Sequence, residues 1–147
     1  MTTRAQLEAD LKTAMRSGDD LRKSTLRMIM AAVKLAEIDH KAALDEAGIE
    51  AIVQKEAKAR REAIADAEKA GRPDLAAAGR AELALVETYL PQQLSREEIL
   101  AIIRAAIAQS GASGPAAMGA VMRIVGPQTK GLADGKLVSE LVRQTLA

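Results

Sequence analysis

The apolar residues of this chain recur at helical spacing almost from end to end. Leu7, Leu11 and Met15, for example, fall on one face of a first helix, and no stretch shows the alternation that is typical of a strand. The chain has one tyrosine and no tryptophan or phenylalanine, so its core must be built from aliphatic side chains and methionine. Together with abundant glutamate, lysine and arginine, that composition favours helix over strand. We therefore predict an all-α fold.

Glycine and proline divide this helical pattern into two groups of helices. The stretch Gly-Arg-Pro-Asp at 71–74 stops one helix and starts another, since glycine suits the position after a helix and proline suits its first turn. The clearest boundary is Pro-Gln-Gln-Leu at 91–94. We predict a helical N-terminal subdomain of about four helices over residues 1–90 and a three-helix C-terminal subdomain over residues 91–147.

Local features predict further details of these helices. The second helix has apolar residues on more than one stripe, which is typical of a central, buried helix. Ser95 and Glu98 have the spacing of a capping box. Later in the chain, Gly-Pro at 126–127 predicts the end of a helix that begins near Pro115, and Asp134 predicts the N-cap of the last helix.

The composition removes most of the usual catalytic and metal-binding residues. The absence of cysteine excludes disulfides, thiolate metal sites and a cysteine nucleophile. The single histidine, His40, excludes a zinc site with two imidazoles. A Ser-His-Asp triad would have to be built around His40, and the sequence has no nucleophile-elbow motif for the serine. There is also no phosphate-binding glycine loop, no dinucleotide fingerprint and no obvious pair of carboxylates. We predict no catalytic residue, no metal site and no cofactor.

The sequence also bears on where the protein is found. No apolar run has the length that a membrane-spanning helix needs. The first ten residues carry charges of both signs and no apolar stretch, which is unlike a signal peptide. We predict a soluble, cytoplasmic protein with no membrane partner.

A small basic excess lies in the second predicted subdomain. The formal net charge is +1 overall, with −1 in the first subdomain and +2 in the second, so a nucleic-acid surface must come from local asymmetry. Lys130, Gly131 and Lys136 stand beside the start of the last predicted helix, where free N–H groups and the helix dipole favour an anion. Two interpretations are open: a phosphate site, or an ordinary N-cap at Asp134 with solvated lysines.

Two further features receive structural interpretations. The third helix carries a basic run that is interleaved with glutamates, which favours a solvated face over a nucleic-acid track. The run consists of Lys55, Lys58, Arg60 and Arg61. Tyr89 precedes the boundary at Pro91, and we expect it to pack across the domain joint with its hydroxyl reaching backbone or water.

At several of these positions the chain resembles the GatB/YqeY family, over essentially its full length. In the first half the resemblance rests on Arg-Lys-Ser-Thr-Leu-Arg-Met at 22–28, on Lys-Ala-Gly-Arg-Pro-Asp-Leu at 69–75 and on residues 87–95. In the second half it rests on residues 118–119, 121–122, 130–131, 133–134 and 136–138. This second set also resembles the tail domain of the B subunit of the glutamine-dependent tRNA amidotransferase.

The resemblance implies a helical subdomain joined to a three-helix tail. In the amidotransferase B subunit that tail is an accessory module, located away from both catalytic centres, that helps to hold the tRNA. It implies phosphate contacts for Arg123, Lys130, Gly131 and Lys136, to which we add Arg143 from the same basic segment. The expected function is that of a non-catalytic accessory protein in translation. Its partner would be tRNA or another structured RNA, bound through lysine and arginine contacts to phosphate.

Two other functions stay open. The first is a protein-interaction adaptor that docks on an amidotransferase or an aminoacyl-tRNA synthetase, through the face that Met118 and Met122 share and through the last helix. The second is an amide-transfer enzyme in its own right. Members of the family are labelled as carbon–nitrogen ligases with glutamine as amide donor. That label comes from association with the larger amidotransferase subunit, so we expect no activity from this chain alone.

Overall fold

The chain is helical over almost all of the residues that its structure, a computed structural model, describes, which are 2–111 and 113–147. This described part contains seven α-helices, one short 3-10 turn at Pro115–Ala117 and no strand, so the all-α prediction is confirmed. The helices are α1 Arg4–Ser17, α2 Asp20–His40, α3 Glu46–Lys69, α4 Pro73–Glu87, α5 Arg96–Ser110, α6 Met118–Thr129 and α7 Gly135–Leu146.

Side chains close the N-terminal ends of several helices. Thr3 accepts a hydrogen bond from the backbone N–H of Gln6 at 3.2 Å and so caps α1. At α5 the predicted capping box is present. The Ser95 hydroxyl accepts from the N–H of Glu98 at 3.2 Å, and the Glu98 carboxylate accepts from the N–H of Ser95 at 2.8 Å. These bonds satisfy amide groups that have no acceptor within the helix, so the polar residues before each helix fix where it begins.

By its internal contacts the chain separates into two compact units, each with its own aliphatic core. The first unit spans Met1–Pro91 and the second, here called the tail unit, spans Gln92–Ala147. The core of the first unit consists of Leu7, Leu26, Ile29, Val33, Ile49, Val53, Ala57, Val86, Tyr89 and Leu90. The core of the tail unit consists of Ile99, Ile103, Ala106, Ala117, Val121, Val125, Val138, Leu141, Val142 and Leu146.

Helix α2 buries only one of its two apolar stripes. Leu26, Ile29 and Val33 lie in the core, whereas a second set of large side chains on the same helix is 40–62 % exposed. Within the first unit α2 contacts α1, α3 and α4, as expected of a central helix, but the prediction that it is the most buried helix is wrong. Helices α1, α3 and α4 pack against one side of α2, and the other side faces solvent.

Helix α6 continues through the proline that we expected to end it. The helix runs to Thr129 and includes Pro127, so the predicted end at residues 126–127 is wrong. Pro127 is exposed and stands two residues before the helix end, where its missing N–H costs one hydrogen bond. Val125 and Thr129 are buried in the same last turn, and the Thr129 hydroxyl donates to the carbonyl of Val125 at 3.0 Å. This burial offsets the cost of the proline.

Candidate nucleic-acid interface

The loop between α6 and α7, residues 130–134, is fixed by hydrogen bonds from the start of the tail unit. The backbone N–H of Leu94 donates to the carbonyl of Leu132 at 2.7 Å, and the side-chain amide of Gln93 donates to the carbonyl of Gly131 at 3.1 Å. Gly131 has φ +77°, a left-handed conformation that a residue with a Cβ rarely adopts. The loop backbone is thus held in one shape before any ligand arrives.

Four of the five predicted RNA-binding residues present exposed cations on the two helices that flank this loop. Arg123 lies on α6, Lys130 is its C-cap, and Lys136 and Arg143 lie on α7. Within each pair the residues are seven positions apart, which places them on one helix face about 10 Å apart along the axis. Arg123, Lys130, Lys136 and Arg143 are called the tail cations from here on.

None of the tail cations has a carboxylate within ion-pair distance. Across residues 92–111 and 113–147, all six arginines and lysines are exposed, and no carboxylate oxygen approaches any of them within 4 Å. Glu140 stands between Lys136 and Arg143 on the outer face of α7, yet it pairs with neither. The tail cations are therefore open to an external anion, with Glu140 as the nearest opposing charge on α7.

The first turn of α7 is left without a side-chain cap. Asp134 occupies the predicted N-cap position with an extended backbone, but its carboxylate accepts no hydrogen bond from the helix. The first three amide groups of any α-helix have no acceptor within the helix. The structure therefore does not support the interpretation of Asp134 as an ordinary, hydrogen-bonded N-cap. The amides at the positive end of the α7 dipole have no side-chain acceptor there, and exposed Lys136 stands beside them.

The arginines of the first unit are placed differently, because carboxylates of the same unit hold several of them. Arg60, only 5 % exposed, pairs with Glu56 at 2.6 Å and with Glu82 on α4 at 3.6 Å. Arg61 pairs with Glu87 at 3.6 Å. The expectation of a wholly solvated face for this basic run is thus wrong at Arg60, which lies between two helices. Lys55 and Lys58 are exposed as expected.

Tyr89 also differs from its expected role. Its side chain lies in the core of the first unit, and its hydroxyl donates to the carboxylate of Asp10 on α1 at 2.7 Å rather than to backbone or water. Its own carbonyl accepts from the hydroxyl of Thr2 at 2.6 Å. Burial, and then the hydrogen bond to Asp10, raise the pKa of the Tyr89 phenol. This residue ties the end of the first unit to its beginning.

The face proposed for an adaptor is only partly exposed at its methionines. Met118 and Met122 are half-buried and pack against the core of the tail unit. In the described part of the chain, the large apolar side chains that stay exposed all belong to the first unit, and four of them lie on α2. Three of those four, Leu21, Leu35 and Ile38, belong to the apolar positions of the second helix that we interpreted as buried.

Two kinds of feature are absent from the residues that the structure describes. No group of three or more histidine, cysteine, aspartate or glutamate side chains comes together there as a metal site would require. Likewise, no helix in residues 2–111 or 113–147 combines the length and apolarity of a bilayer crossing.

Comparison with known proteins finds similar chains in fungi. The protein named "Altered inheritance of mitochondria protein 41, mitochondrial" from Vanderwaltozyma polyspora is 41% identical over 85 residues, or 57% of this chain and 46% of the relative. Its namesake from Eremothecium gossypii is 38% identical over 58% of this chain and 48% of the relative. The one from Pyrenophora tritici-repentis is 28% identical over 96% of this chain and 79% of the relative.

The chain spans about half the length of the first two of these relatives. Their names correct one expectation. All of them include the word mitochondrial, so the cytoplasmic location predicted from the sequence is wrong on this comparison, which points to the mitochondrion. That prediction rested on the charges of the first ten residues and on the lack of a long apolar run, and neither feature determines the compartment.

The comparison with protein families covers nearly the whole chain. The family model described as Yqey-like protein matches residues 4–146. That match includes all seven helices, the fixed loop at 130–134 and every one of the tail cations. The chain therefore belongs to the YqeY-like protein family.

Proposed function

We propose that this protein is a non-catalytic RNA-binding accessory protein, related to the tail of the amidotransferase B subunit, whose tail unit contacts the phosphate backbone of tRNA or another structured RNA. The observation that carries the proposal is the set of exposed tail cations without carboxylate partners beside a fixed loop. Because these side chains have no ion pair to break, the main free-energy cost of binding a phosphate is their partial desolvation.

The geometry suits a nucleic-acid backbone better than a single small anion. The tail cations are spread along two helices, with about 10 Å between the members of each pair, which is more than one phosphate group can bridge. The uncapped start of α7 adds backbone donors at the centre of this arrangement. No aromatic side chain is available in the tail unit, so base stacking does not contribute. Recognition therefore follows the shape and charge of the RNA.

The test is a titration of labelled tRNA with wild type and with Lys130→Glu/Lys136→Glu, at two salt concentrations. With about four phosphate contacts, wild type gives a logarithmic salt slope of about −3. We expect the double variant to bind at least tenfold more weakly and to lose about two units of that slope.

A matched control has the same net charge as the test variant. Lys55→Glu/Lys58→Glu changes the charge by the same amount at two exposed lysines on α3 in the first unit. We expect this control to keep most of the wild-type affinity. If both variants lose binding equally, net charge alone attracts the RNA. If both bind as wild type does, the tail cations are not the site, and either result contradicts the proposal.

A partner-binding role has support from a different surface. Met118 and Met122, on the face first considered for an adaptor, are half-buried, whereas the outer side of α2 leaves large apolar side chains in solvent.

A further inference from the structure

Helix α2 presents a continuous apolar stripe to solvent. Leu21, Met28, Leu35 and Ile38 are 40 %, 51 %, 61 % and 62 % exposed, respectively. Isolated exposed leucines are common on soluble proteins, but four large exposed apolar side chains on one face of one helix indicate an interaction surface. These four residues are called the α2 stripe.

The spacing of the α2 stripe is that of a coiled-coil seam. Leu21, Met28 and Leu35 are seven residues apart, and Ser24, Ala31 and Ile38 form a second series that follows them by three residues. From Leu21 to Ile38 the seam is about 25 Å long. The small side chains of Ser24 and Ala31 lie between larger ones and leave holes along the seam. A partner helix fills such holes with its own apolar side chains.

One edge of the seam is cationic. Arg27 and Lys34 are exposed, lie seven residues apart, and have no ion-pair partner among the residues that the structure describes. At the other edge, the Arg60 guanidinium touches the sulfur of Met28 at 3.5 Å, and Asp39 stands near the C-terminal end. The free charge along most of the seam is therefore positive, and it complements a partner with glutamates or aspartates beside its apolar residues.

The same charges give little support to a second copy of this chain, since a parallel pair would set Lys34 against Asp39 but would leave Arg27 without a carboxylate. In an antiparallel pair of α2 helices the two cationic edges would face each other, and like charges at these flanking positions repel. The holes at Ser24 and Ala31 favour a partner helix, whose side chains can fill them, over a membrane surface.

We propose that the α2 stripe docks an acidic amphipathic helix of a partner protein. The partner's apolar residues pack between Leu21, Met28, Leu35 and Ile38, and its carboxylates meet Arg27 and Lys34. This surface lies in the first unit and does not depend on RNA binding by the tail unit.

The test uses the full chain and a synthetic fluorescent peptide of about three heptads, with leucine at the seam positions and glutamate at the flanking positions. A matched peptide carries lysine in place of glutamate. Fluorescence anisotropy is expected to show at least tenfold tighter binding of the acidic peptide.

Two protein variants locate the binding surface. Leu35→Gln/Ile38→Gln changes exposed positions of the α2 stripe and is expected to lose at least tenfold in affinity for the acidic peptide while keeping its helical circular dichroism. Leu75→Gln, at a position on α4 that is 51 % exposed, is the control and is expected to bind as wild type does.

Several results overturn the proposal. Failure of the acidic peptide to bind, equal binding of both peptides, or equal binding by both variants removes it. If the acidic peptide fails and phosphatidylcholine–phosphatidylserine vesicles are bound through the α2 stripe instead, the occupant is a membrane. If it fails and sedimentation velocity shows self-association that Leu35→Gln/Ile38→Gln abolishes, the occupant is a second copy.

Discussion

The hydroxyl of Tyr89 joins the end of the first unit to α1 through Asp10. Burial and the neighbouring carboxylate both oppose loss of the phenol proton, so the pKa of Tyr89 in the folded protein lies above its ordinary value near 10. When a folded-state pKa is raised, the stability that it contributes is present below the unfolded pKa and is lost as pH rises through the folded one. The stability that this hydrogen bond contributes is therefore lost at alkaline pH.

Replacement of this tyrosine gives a prediction with a definite sign. Tyr89→Phe removes the hydrogen bond to Asp10 and is expected to cost about 1 kcal/mol at neutral pH. Above about pH 10 the wild type loses the phenol's contribution and the variant has none to lose, so the gap between them narrows. Urea unfolding followed by far-ultraviolet circular dichroism from neutral to alkaline pH measures the gap. A gap that stays constant across this range would show that Tyr89 does not titrate with unfolding.

Single residues also show what the sequence could predict about the candidate site. The exposure of Lys130 and Lys136 follows from their charge, but nothing in their spacing says whether a carboxylate pairs with them. Arg60 shows the difference, since its partner Glu82 is on another helix and the pair forms only after α3 and α4 pack. Asp134 likewise has the spacing of an N-cap, yet its hydrogen bond depends on a side-chain orientation that spacing does not encode.

Helix α6 contains a glycine that its own packing does not require. A Cβ added at Gly119 would meet no atom within 4 Å, and Gly119 does not have a positive φ. Glycine inside a helix costs about 0.5–1 kcal/mol relative to alanine. Gly126 is different, because it precedes Pro127, and a Cβ before proline disfavours helical backbone. We propose that Gly119, which lies one turn from Arg123 on α6, lets the RNA approach the backbone closely.

This argument predicts opposite effects on stability and binding. Gly119→Ala is expected to raise the free energy of unfolding by about 0.5–1 kcal/mol, through helix propensity, and to weaken tRNA binding, through the added methyl group. Chemical denaturation and the tRNA titration measure the two effects on the same preparation. Higher stability with unchanged affinity would place Gly119 outside the interface.

At the level of elements, the sequence predicted helices better than it predicted their surroundings. The all-α fold and the capping box at Ser95 and Glu98 depend on local chemistry, and the structure confirms both. The burial of α2 and the end of α6 depend on tertiary packing. An apolar stripe on α2 records which side chains share a face, but not whether another helix covers them. The helix at Pro127 persists because Val125 and Thr129 are buried, which a local proline rule cannot include.

At the scale of the whole molecule, we propose that the two units are independent domains. Each has a separate aliphatic core, so a defect in one core is expected to destabilise only the helices around it. Ile103 in the tail unit and Ile29 in the first unit are both 0 % exposed and offer a matched pair of core positions.

Native-state hydrogen exchange distinguishes independent domains from one cooperative fold. Ile103→Val is expected to lower the opening free energy of amides in α5–α7 by about 0.5–1.5 kcal/mol and to leave those in α1–α4 unchanged. Ile29→Val is expected to do the reverse. If either substitution lowers the opening free energy in both units, the chain unfolds as a single domain.

The position of Tyr89 also determines which part of the protein the intrinsic fluorescence and the near-ultraviolet circular dichroism report on. The sequence has one tyrosine and no tryptophan or phenylalanine, so Tyr89 dominates its near-ultraviolet absorption. Tyr89 is packed in the core of the first unit. Intrinsic emission and near-ultraviolet dichroism therefore report on α1–α4 alone. If the two units unfold independently, as proposed above, a melting curve recorded with either signal does not report on α5–α7, and the unit that carries the tail cations unfolds without a change in signal.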